Sequence, residues 1–341
     1  MLPKPDTRTV TSTRGPLLEA RRRLLSAGSA AILLPGTLLA QSADSRPIRM
    51  IVPYVPGGGT DTLARLLAPY IGEALGQSVV VENRAGAGST IGTQMIARAA
   101  PDGRTIGMID AAFIANPALY VGLPYDTLQD LRAVVFVATS PFVLCVHPDV
   151  KARTVKELVQ LAKAEPGKLT FGSAGQGGGT HIAGEQLRLA AGVDIVHVPY
   201  KGGGQQLTDL VGGQTTMGFF VPSVAKPQID AGRLRALAVT GTERSTLFPD
   251  APTMADAGLG QVDAGGLNGI VVPAGTSGDF IGRLNQAVDQ ALKGHAVSRR
   301  LIDSGYKPVG GSPREFEDYL KAAIPRMKAV IEAAGIKPQR L

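Results

Sequence analysis

The sequence has few of the residues from which metal centres, disulfide scaffolds and membrane anchors are built. Its 341 residues include a single cysteine, Cys145, and four histidines, which show no metal-ligand spacing. One cysteine cannot form an internal disulfide, and its position in the apolar run from Pro141 to Val146 predicts a buried thiol. Beyond the N-terminal region, no apolar run approaches the length of a membrane-spanning helix. We therefore expect no metal, no cofactor and no membrane-embedded segment in the mature protein.

Positive charge is also scarce once the N-terminal region is set aside. The chain has a formal charge of +7, but residues 1–42 hold six Lys and Arg against two Asp and Glu, so the remainder carries only +3. That remainder has no basic stripe interleaved with aromatic residues, which argues against nucleic-acid binding.

The basic N-terminus has the composition of an export signal. The segment Arg21 to Ser26 begins with three arginines and precedes a short apolar run, Ala27 to Ala40, with small residues near Ala43. The paired arginines resemble a twin-arginine signal, although Leu24 stands where that pattern prefers Phe. The apolar run is too short to anchor the protein by spanning a membrane. We therefore expect residues 1–43 to be a signal peptide and the protein to be exported.

The mature chain alternates short apolar runs with helical patterns, which predicts an α/β fold with largely parallel sheets. In the stretch Ile51 to Asp61, an apolar strand gives way to three glycines and then to a helix. The stretch from Lys168 to Ala190 repeats this order in the second half of the chain. Two α/β halves facing a cleft follow from this pattern. If the chain crosses between them near residues 140 and 268, domain 1 comprises 44–142 and 268–341, and domain 2 comprises 143–267.

Each glycine loop combines the features of an anion site at the carboxyl end of a strand. Glycine lets a ligand approach the backbone, and the helix start offers unpaired N–H groups with a partial positive charge. We expect Thr60 or Asp61 to cap the first of these helices and Thr180 to cap the second.

Motifs for catalysis or nucleotide binding are incomplete. The first loop lacks the Lys-Ser/Thr ending of a P-loop, and Gly92 arrives one residue late for a dinucleotide fingerprint. Phe171 stands where a nucleophile elbow needs glycine. Ser173 with His181 as its base is the one hydrolase arrangement left open. No orienting acid is apparent for it, so we favour two residues that line an anion pocket.

Eight segments of the mature chain resemble, in order and spacing, the extracytoplasmic solute receptors of tripartite tricarboxylate transporters, also called the Bug family. The segments are Pro47 to Asp61 (PIRMIVPYVPGGGTD), Val81 to Gly88, Pro101 to Gly103, His197 to Gly202, Leu234 to Thr240, Ala251 to Gly258, Pro273 to Thr276 and Pro308 to Pro313. The resemblance implies a periplasmic binding protein of the two-domain type II fold that closes on a small organic carboxylate without catalysis. It also implies membrane permease subunits as partners, and we expect a monomer.

The resemblance places the ligand between the first glycine loop, which holds a carboxylate through its backbone, and a second wall formed by two segments of the other domain. The implied ligand-binding residues are Tyr54, Pro56, Gly57, Gly58, Gly59, Thr60, Asp61, Ser173, Ala174, Gly175, Thr180, Tyr200, Lys201 and Gly202. From the residues alone, Tyr54 is either pocket wall or core, and Lys201 either contacts the ligand or is solvated.

The ligand itself and the output of binding stay open. Phe220 stands where the family often has Asp, and Leu267 lies in a stretch that is usually aromatic, so the ligand of a relative does not transfer. Citrate-like, amino-acid, nicotinate-like and aromatic carboxylates are all compatible with the sequence. A receptor that signals to a membrane sensor is the alternative to transport, and an exported hydrolase is the alternative to both.

Overall fold

Strands and helices alternate along the chain as its apolar pattern predicts, in a computed structural model that describes residues 46–200 and 202–341. The predicted signal peptide and Lys201 lie outside the described residues. The described strands are β1 (Ile48–Val52), β2 (Val79–Asn83), β3 (Thr105–Asp110), β4 (Tyr120–Val121), β5 (Leu131–Pro141), β6 (Val143–Val146), β7 (Thr170–Ser173), β8 (Val196–Pro199), β9 (Met217–Phe220), β10 (Arg235–Val239), β11 (Gly265–Pro273), β12 (Lys307–Gly310) and β13 (Gln339–Arg340). The described helices are α1 (Gly59–Leu75), α2 (Thr90–Ala97), α3 (Ala112–Leu119), α4 (Val155–Ala164), α5 (Gly179–Ala191), α6 (Gly203–Val211), α7 (Pro222–Asp230), α8 (Gly278–Lys293), α9 (His295–Asp303) and α10 (Pro313–Ala333).

Two sheets carry most of the strands of the described chain. One has the order β12-β5-β11-β3-β1-β2, and the other has the order β10-β6-β9-β7-β8. The pairs β1–β2, β1–β3, β7–β8 and β7–β9 are parallel, whereas β5 and β11 pair antiparallel with each other and with their other neighbours. The α/β class is therefore confirmed, but the expectation of largely parallel sheets is wrong. Each sheet is parallel on one side and antiparallel on the side where the chain passes between sheets.

The chain passes from one sheet to the other at two neighbouring places. β5 ends at Pro141 in the six-stranded sheet, and β6 begins only two residues later in the five-stranded sheet. The return is made before β11, whose first residue Gly265 pairs with Pro141. The predicted domain boundaries near 142 and 268 stay a prediction.

Apolar side chains cover both faces of each sheet. The strands β1, β3, β5 and β11 pack against α1 and α8 on one face, around Leu67 and Leu284, and against α10 on the other, around Phe316. A separate cluster around the five-stranded sheet includes Phe171 and Ile182 and also takes in Leu119 of α3. Cys145, predicted to be a buried thiol, lies in the cluster on the opposite face with no exposed surface. No helix among the described residues is long and apolar enough to cross a membrane.

The starts of the two glycine-loop helices differ from the prediction. The N-cap residues are Gly58 for α1 and Gly178 for α5, both with extended backbone, so Thr60, Asp61 and Thr180 lie inside the helices. Glycine at the N-cap position costs little compared with a capping side chain. The side chains of Asp61 and Thr180 are thus available to bond backbone N–H groups upstream of their own helices.

Three elements that the sequence pattern missed contain a proline. Pro117 lies in α3 and Pro227 in α7, each at the sixth position, and Pro308 is the second residue of β12. Proline inside a helix normally costs a hydrogen bond and creates a clash, which is why these stretches read as connections. In α3 and α7 it comes near the end of a short helix. In β12 it lies on an edge strand, where a missing N–H donor is tolerated.

Candidate functional site

The first glycine loop joins β1 to α1 and is exposed from Pro56 to Gly59, whereas Thr60 and Asp61 are buried. Gly57 has a φ of 88°, a left-handed conformation that glycine adopts without strain. The first N–H groups of α1 have no partner within the helix, and the helix dipole adds partial positive charge there. A methyl group added at Gly58 would come no closer than 4.0 Å to any other atom, so the space in front of these N–H groups is open.

Asp61 holds the first loop in shape from the inside. Its Oδ2 accepts the Gly57 N–H at 2.9 Å and the Arg65 Nε–H at 3.0 Å. The Asn83 amide donates to Asp61 Oδ1 at 2.9 Å and to the carbonyl of Tyr54 at 3.0 Å. Burial raises the pKa of Asp61, but the hydrogen bonds from Arg65, Gly57 and Asn83 together hold it below the usual value. Asp61 is therefore ionised, and it stabilises the loop by a hydrogen bond to the loop backbone.

Tyr54, Asp110 and Tyr306 form a polar group beside the first loop. The Tyr54 hydroxyl donates to Asp110 Oδ1 at 2.5 Å, and the Tyr306 hydroxyl lies over Gly59, where any added Cβ would collide with it. Burial, and then the nearby Asp110 charge, raises the pKa of Tyr54 well above its usual value and that of Tyr306 to about 12. Both phenols are neutral hydrogen-bonding groups at neutral pH.

The second glycine loop, from Ser173 to Thr180, is held by its own side chains. The Thr180 Oγ1 accepts the Ala174 N–H at 3.0 Å, and Gly175 has a φ of 153° that suits glycine. The Gly177 N–H donates to His181 Nδ1 at 2.9 Å, which fixes this ring nitrogen as the unprotonated one. The His181 side chain therefore fixes the backbone of the second loop at Gly177.

Ser173 and His181 do not form the nucleophile–base pair that the sequence left open. The Ser173 Oγ lies 2.7 Å from Nε2 of His197 on the neighbouring strand, and Ser173 has no exposed surface. A serine nucleophile must reach its substrate, and this one is covered. The hydrolase pairing of Ser173 with His181 is therefore wrong as a geometry.

His181 and His197 stack on each other with ring centroids 3.8 Å apart. Burial and then the neighbouring His181 lower the pKa of His197 to about 4, with Glu185 opposing them. Glu185 is itself buried, which raises its pKa, but the His181 ring, whose Nε2 lies 3.6 Å from Oε1, and the hydrogen bond from Arg188 outweigh the burial and lower it. Contacts among these side chains connect the second loop and β8 to α5. The side chains are His181, His197, Glu185 and Arg188.

The third predicted segment follows β8. The Tyr200 N–H donates to the Ser173 carbonyl at 3.0 Å, and Gly202 is the N-cap residue of α6. Burial, and then a hydrogen bond to Asp209, raises the pKa of the Tyr200 phenol. The structure thus brings the segment beside the second loop, while Lys201 lies outside the described residues.

The starts of α1 and α5 meet the same strand end. A methyl group added at Gly179 would lie 2.9 Å from the Phe142 ring and 3.9 Å from the Cβ of Ala111, the residue after β3. The same strand end is linked to α1 through Asn268, whose amide donates to Thr60 Oγ1 at 3.3 Å and to the Ile109 carbonyl at 3.4 Å. The carboxyl end of β3 therefore lies near the starts of both glycine-loop helices.

Several site residues were missed by sequence reasoning. Asp110 directly follows the short, mostly apolar run from Thr105 to Ile109, and this position at a strand end was a usable signal. Asn83, at the end of β2, carried the same signal. Tyr306 and Asn268 reach the site through long-range packing, which leaves no local pattern. Among the described residues, no group of three or more His, Cys, Asp and Glu is arranged to hold a metal ion.

Comparison with known proteins gives a consistent result. The family profile described as "Tripartite tricarboxylate transporter family receptor" matches residues 63–336. Protein BugT of Bordetella pertussis is 36% identical over 320 residues, covering 92% of this chain and 98% of the relative. Rpa4515 of R. palustris, solved with adipate, is 31% identical with a TM-score of 0.79, covering 87% of this chain and 99% of that one. MatC of Rhodopseudomonas palustris, solved with bound malate, is 30% identical with a TM-score of 0.75, covering 84% and 99%. A solved structure described as the periplasmic binding protein BugD is 32% identical with a TM-score of 0.76, covering 86% of this chain and 99% of that one, and the predicted two-domain fold of periplasmic binding proteins is thereby confirmed.

Proposed function

Because the chain belongs to the tripartite tricarboxylate transporter receptor family, we propose that it binds a small organic carboxylate between its two glycine loops and delivers it to a membrane permease of that transporter class. The observation that carries the proposal is the convergence of two bare helix starts, at Gly58 and Gly178, on the carboxyl end of β3. Helix starts with accessible N–H groups favour anions. Adipate and malate, carried by the two solved relatives, are dicarboxylates.

In this proposal, one ligand carboxylate binds the backbone of the first loop. Gly58, Gly59 and Thr60 supply the N–H groups, while Gly57 gives the loop its turn and donates its own N–H to Asp61, which keeps the loop in position. Ser173, Ala174, Gly175 and Thr180 shape the opposite wall together with Tyr200, Lys201 and Gly202, and Tyr54 and Pro56 border the first loop. Domain 1, with residues 44–142 and 268–341, and domain 2, with residues 143–267, close around the ligand. Closure is driven by contacts that exist only in the closed state.

The protein works in the periplasm as a monomer, after export by residues 1–43, and it catalyses no reaction. Support for a receptor without catalysis comes from the burial of Ser173 and from the low pKa of His197, which makes this ring a weak base. Delivery to a permease is preferred to delivery to a membrane sensor because the family is that of a transporter receptor.

A thermal-shift screen of the purified protein tests the proposal. Small mono-, di- and tricarboxylates are compared with neutral solutes of the same carbon skeleton. A carboxylate at a hundredfold excess over its dissociation constant should stabilise the folded state by about 2.7 kcal/mol and be recovered unchanged. Stabilisation by neutral solutes alone, or conversion of the ligand during incubation, would contradict the proposal.

A further inference from the structure

Asp110 is the last residue of β3 and occupies the point where the two glycine loops approach each other. The next residue, Ala111, lies beside Gly179 at the start of α5. Tyr306 lies over Gly59 at the start of α1, and the charge of Asp110 raises the pKa of this phenol. A carboxylate is thus placed near two helix starts that otherwise favour anions.

The hydrogen bonds of Asp110 use only one of its two oxygens. Oδ1 accepts both the Tyr54 hydroxyl at 2.5 Å and the Ala112 N–H at 2.9 Å. No other described residue donates to Oδ2, although the backbone N–H of Asp110 itself also acts on the carboxylate, and the residue is half-buried. One oxygen therefore remains available to a ligand in the cleft.

No cation of the described chain pairs with Asp110. Every other group that bears on it is a hydroxyl or a backbone N–H, and burial raises its pKa by more than these hydrogen bonds lower it. A buried carboxylate without a counter-charge is costly, and such groups are commonly found where a ligand completes the pair. The Tyr306 hydroxyl, which has no hydrogen-bond partner among the described residues, lies beside it as a second polar contact.

We propose that Asp110 is the specificity-determining residue of the cleft and that the ligand is a small amino carboxylate, whose ammonium group binds Asp110 while its carboxylate binds the start of α1. The proposal rests on the carboxylate-receptor function proposed above and names the ligand class of the same site. A buried charge pair discriminates strongly against an uncharged isostere, because the unmatched ligand leaves the protein charge without a partner.

Three ligands that differ at one substituent test this inference. L-Aspartate, L-malate and succinate carry an ammonium, a hydroxyl and a hydrogen at the same carbon, and glutamate with glutarate repeats the comparison at greater length. Their dissociation constants are measured by isothermal titration with the wild-type protein at pH 7.5. We expect the amino compound to bind at least tenfold more tightly than its unsubstituted partner, which corresponds to about 1.4 kcal/mol.

The variant Asp110→Asn removes the charge and keeps an oxygen that can accept from Tyr54 and Ala112. It should lose the preference for the amino ligand by tenfold or more, while the affinity for succinate or glutarate stays the same or improves. The matched control is Asp318→Asn, at an exposed aspartate of α10, which should leave every affinity unchanged.

The outcomes separate the two proposals. Equal or tighter binding of the unsubstituted or hydroxy compound by the wild-type protein would overturn the role of Asp110 and leave the carboxylate-receptor function standing. An unchanged preference in a folded Asp110→Asn variant would overturn it as well. Absence of binding by every carboxylate in this series and in the broader screen would overturn the proposed function and the inference together.

Discussion

The proposed carboxylate site requires that Gly58 have no side chain. It lies at the start of α1 with extended backbone, and an added methyl group would meet no other atom within 4.0 Å. We expect Gly58→Val to fold with a modestly lowered melting temperature, because valine is a poorer N-cap residue than glycine, and to lose ligand affinity by a hundredfold or more, because its side chain would occupy the place of the carboxylate. Gly278→Val, at an equally open position in α8, is the matched control and should bind normally. Retained affinity in Gly58→Val would remove the ligand from the first loop.

Asp110 leads to a second prediction, on stability instead of binding. Its pKa is raised in the folded protein, so the folded state binds a proton more readily than the unfolded chain does. The ligand-free protein therefore gains stability as the pH falls toward the raised pKa of Asp110. At neutral pH the ionised form of Asp110 destabilises the folded protein. We expect Asp110→Asn to raise the melting temperature of the ligand-free protein at pH 7, with Asp318→Asn unchanged. A lower melting temperature would show that the ionised carboxylate stabilises the fold.

At the scale of residues, sequence reasoning found the positions that glycine makes visible and missed those that packing creates. Gly57 to Gly59 and the loop after Phe171 could be recognised because the glycines interrupt an apolar pattern. The roles of Asp61 and Thr180 could not, since whether such a side chain caps its own helix or bonds upstream backbone depends on where the helix begins. Tyr306 comes to the site from a distant part of the chain.

The two stacked histidines connect β8 to α5 and make a pH-dependent element. The pKa of His197 falls from 6.5 to about 4 on folding. Between these two pH values the unfolded chain is protonated at His197, whereas the folded protein is not. The stability associated with neutral His197 is present above pH 6.5 and is lost as the pH falls toward 4. Glu185, whose lowered pKa adds a loss only below its usual value of 4.5, does not interfere above pH 5.

We therefore expect the free energy of unfolding of the wild type in urea to fall relative to that of His197→Gln between pH 7 and pH 5, because glutamine takes up no proton. Asp110 acts in the opposite direction, but it is present in both proteins and cancels from this difference. His295→Gln, at an exposed position at the start of α9, should keep the wild-type slope. Identical slopes in all three proteins would show that His197 titrates normally in the folded state.

The capping box at the start of α10 is another feature whose contribution to stability can be measured. Ser312 Oγ accepts the Glu315 N–H at 3.2 Å, and Glu315 accepts the Ser312 N–H at 2.7 Å. We expect Ser312→Ala to lower the free energy of unfolding by about 1 kcal/mol. Ser298→Ala, inside α9, should be nearly neutral. A Ser312→Ala protein as stable as the wild type would mean that the first turn of α10 is held by packing alone.

At the scale of elements, most helices and strands follow from apolar periodicity, and the exceptions share a cause. The sequence pattern predicted α1 and α5 because long amphipathic helices repeat their signal. It missed α3, α7 and β12 because proline breaks the local pattern. These elements are stabilised by tertiary packing, as in the contact of Leu119 in α3 with the second core, and propensity alone does not report such contacts.

At the scale of the whole molecule, the two crossings of the chain bring distant segments of the sequence into one sheet. β5 and β6 are nearly continuous, and β11 returns beside them, so the first and last parts of the mature chain share one sheet. The order of strands and helices indicated an α/β protein, but the mixed sheets are a consequence of these crossings and could not be read from local patterns. The resemblance to the Bug family supplied the two-domain arrangement that the comparisons confirm.

A receptor of the proposed kind must bind its ligand through the ionised carboxylate and release that ligand unchanged. The direct measurement is an isothermal titration of the purified protein with the most stabilising acid of the thermal-shift screen and with its uncharged amide. We expect a single site for the acid, at least a tenfold weaker interaction for the amide, and full recovery of the acid after incubation. Equal affinity for acid and amide, or conversion of the acid, would contradict the proposed function.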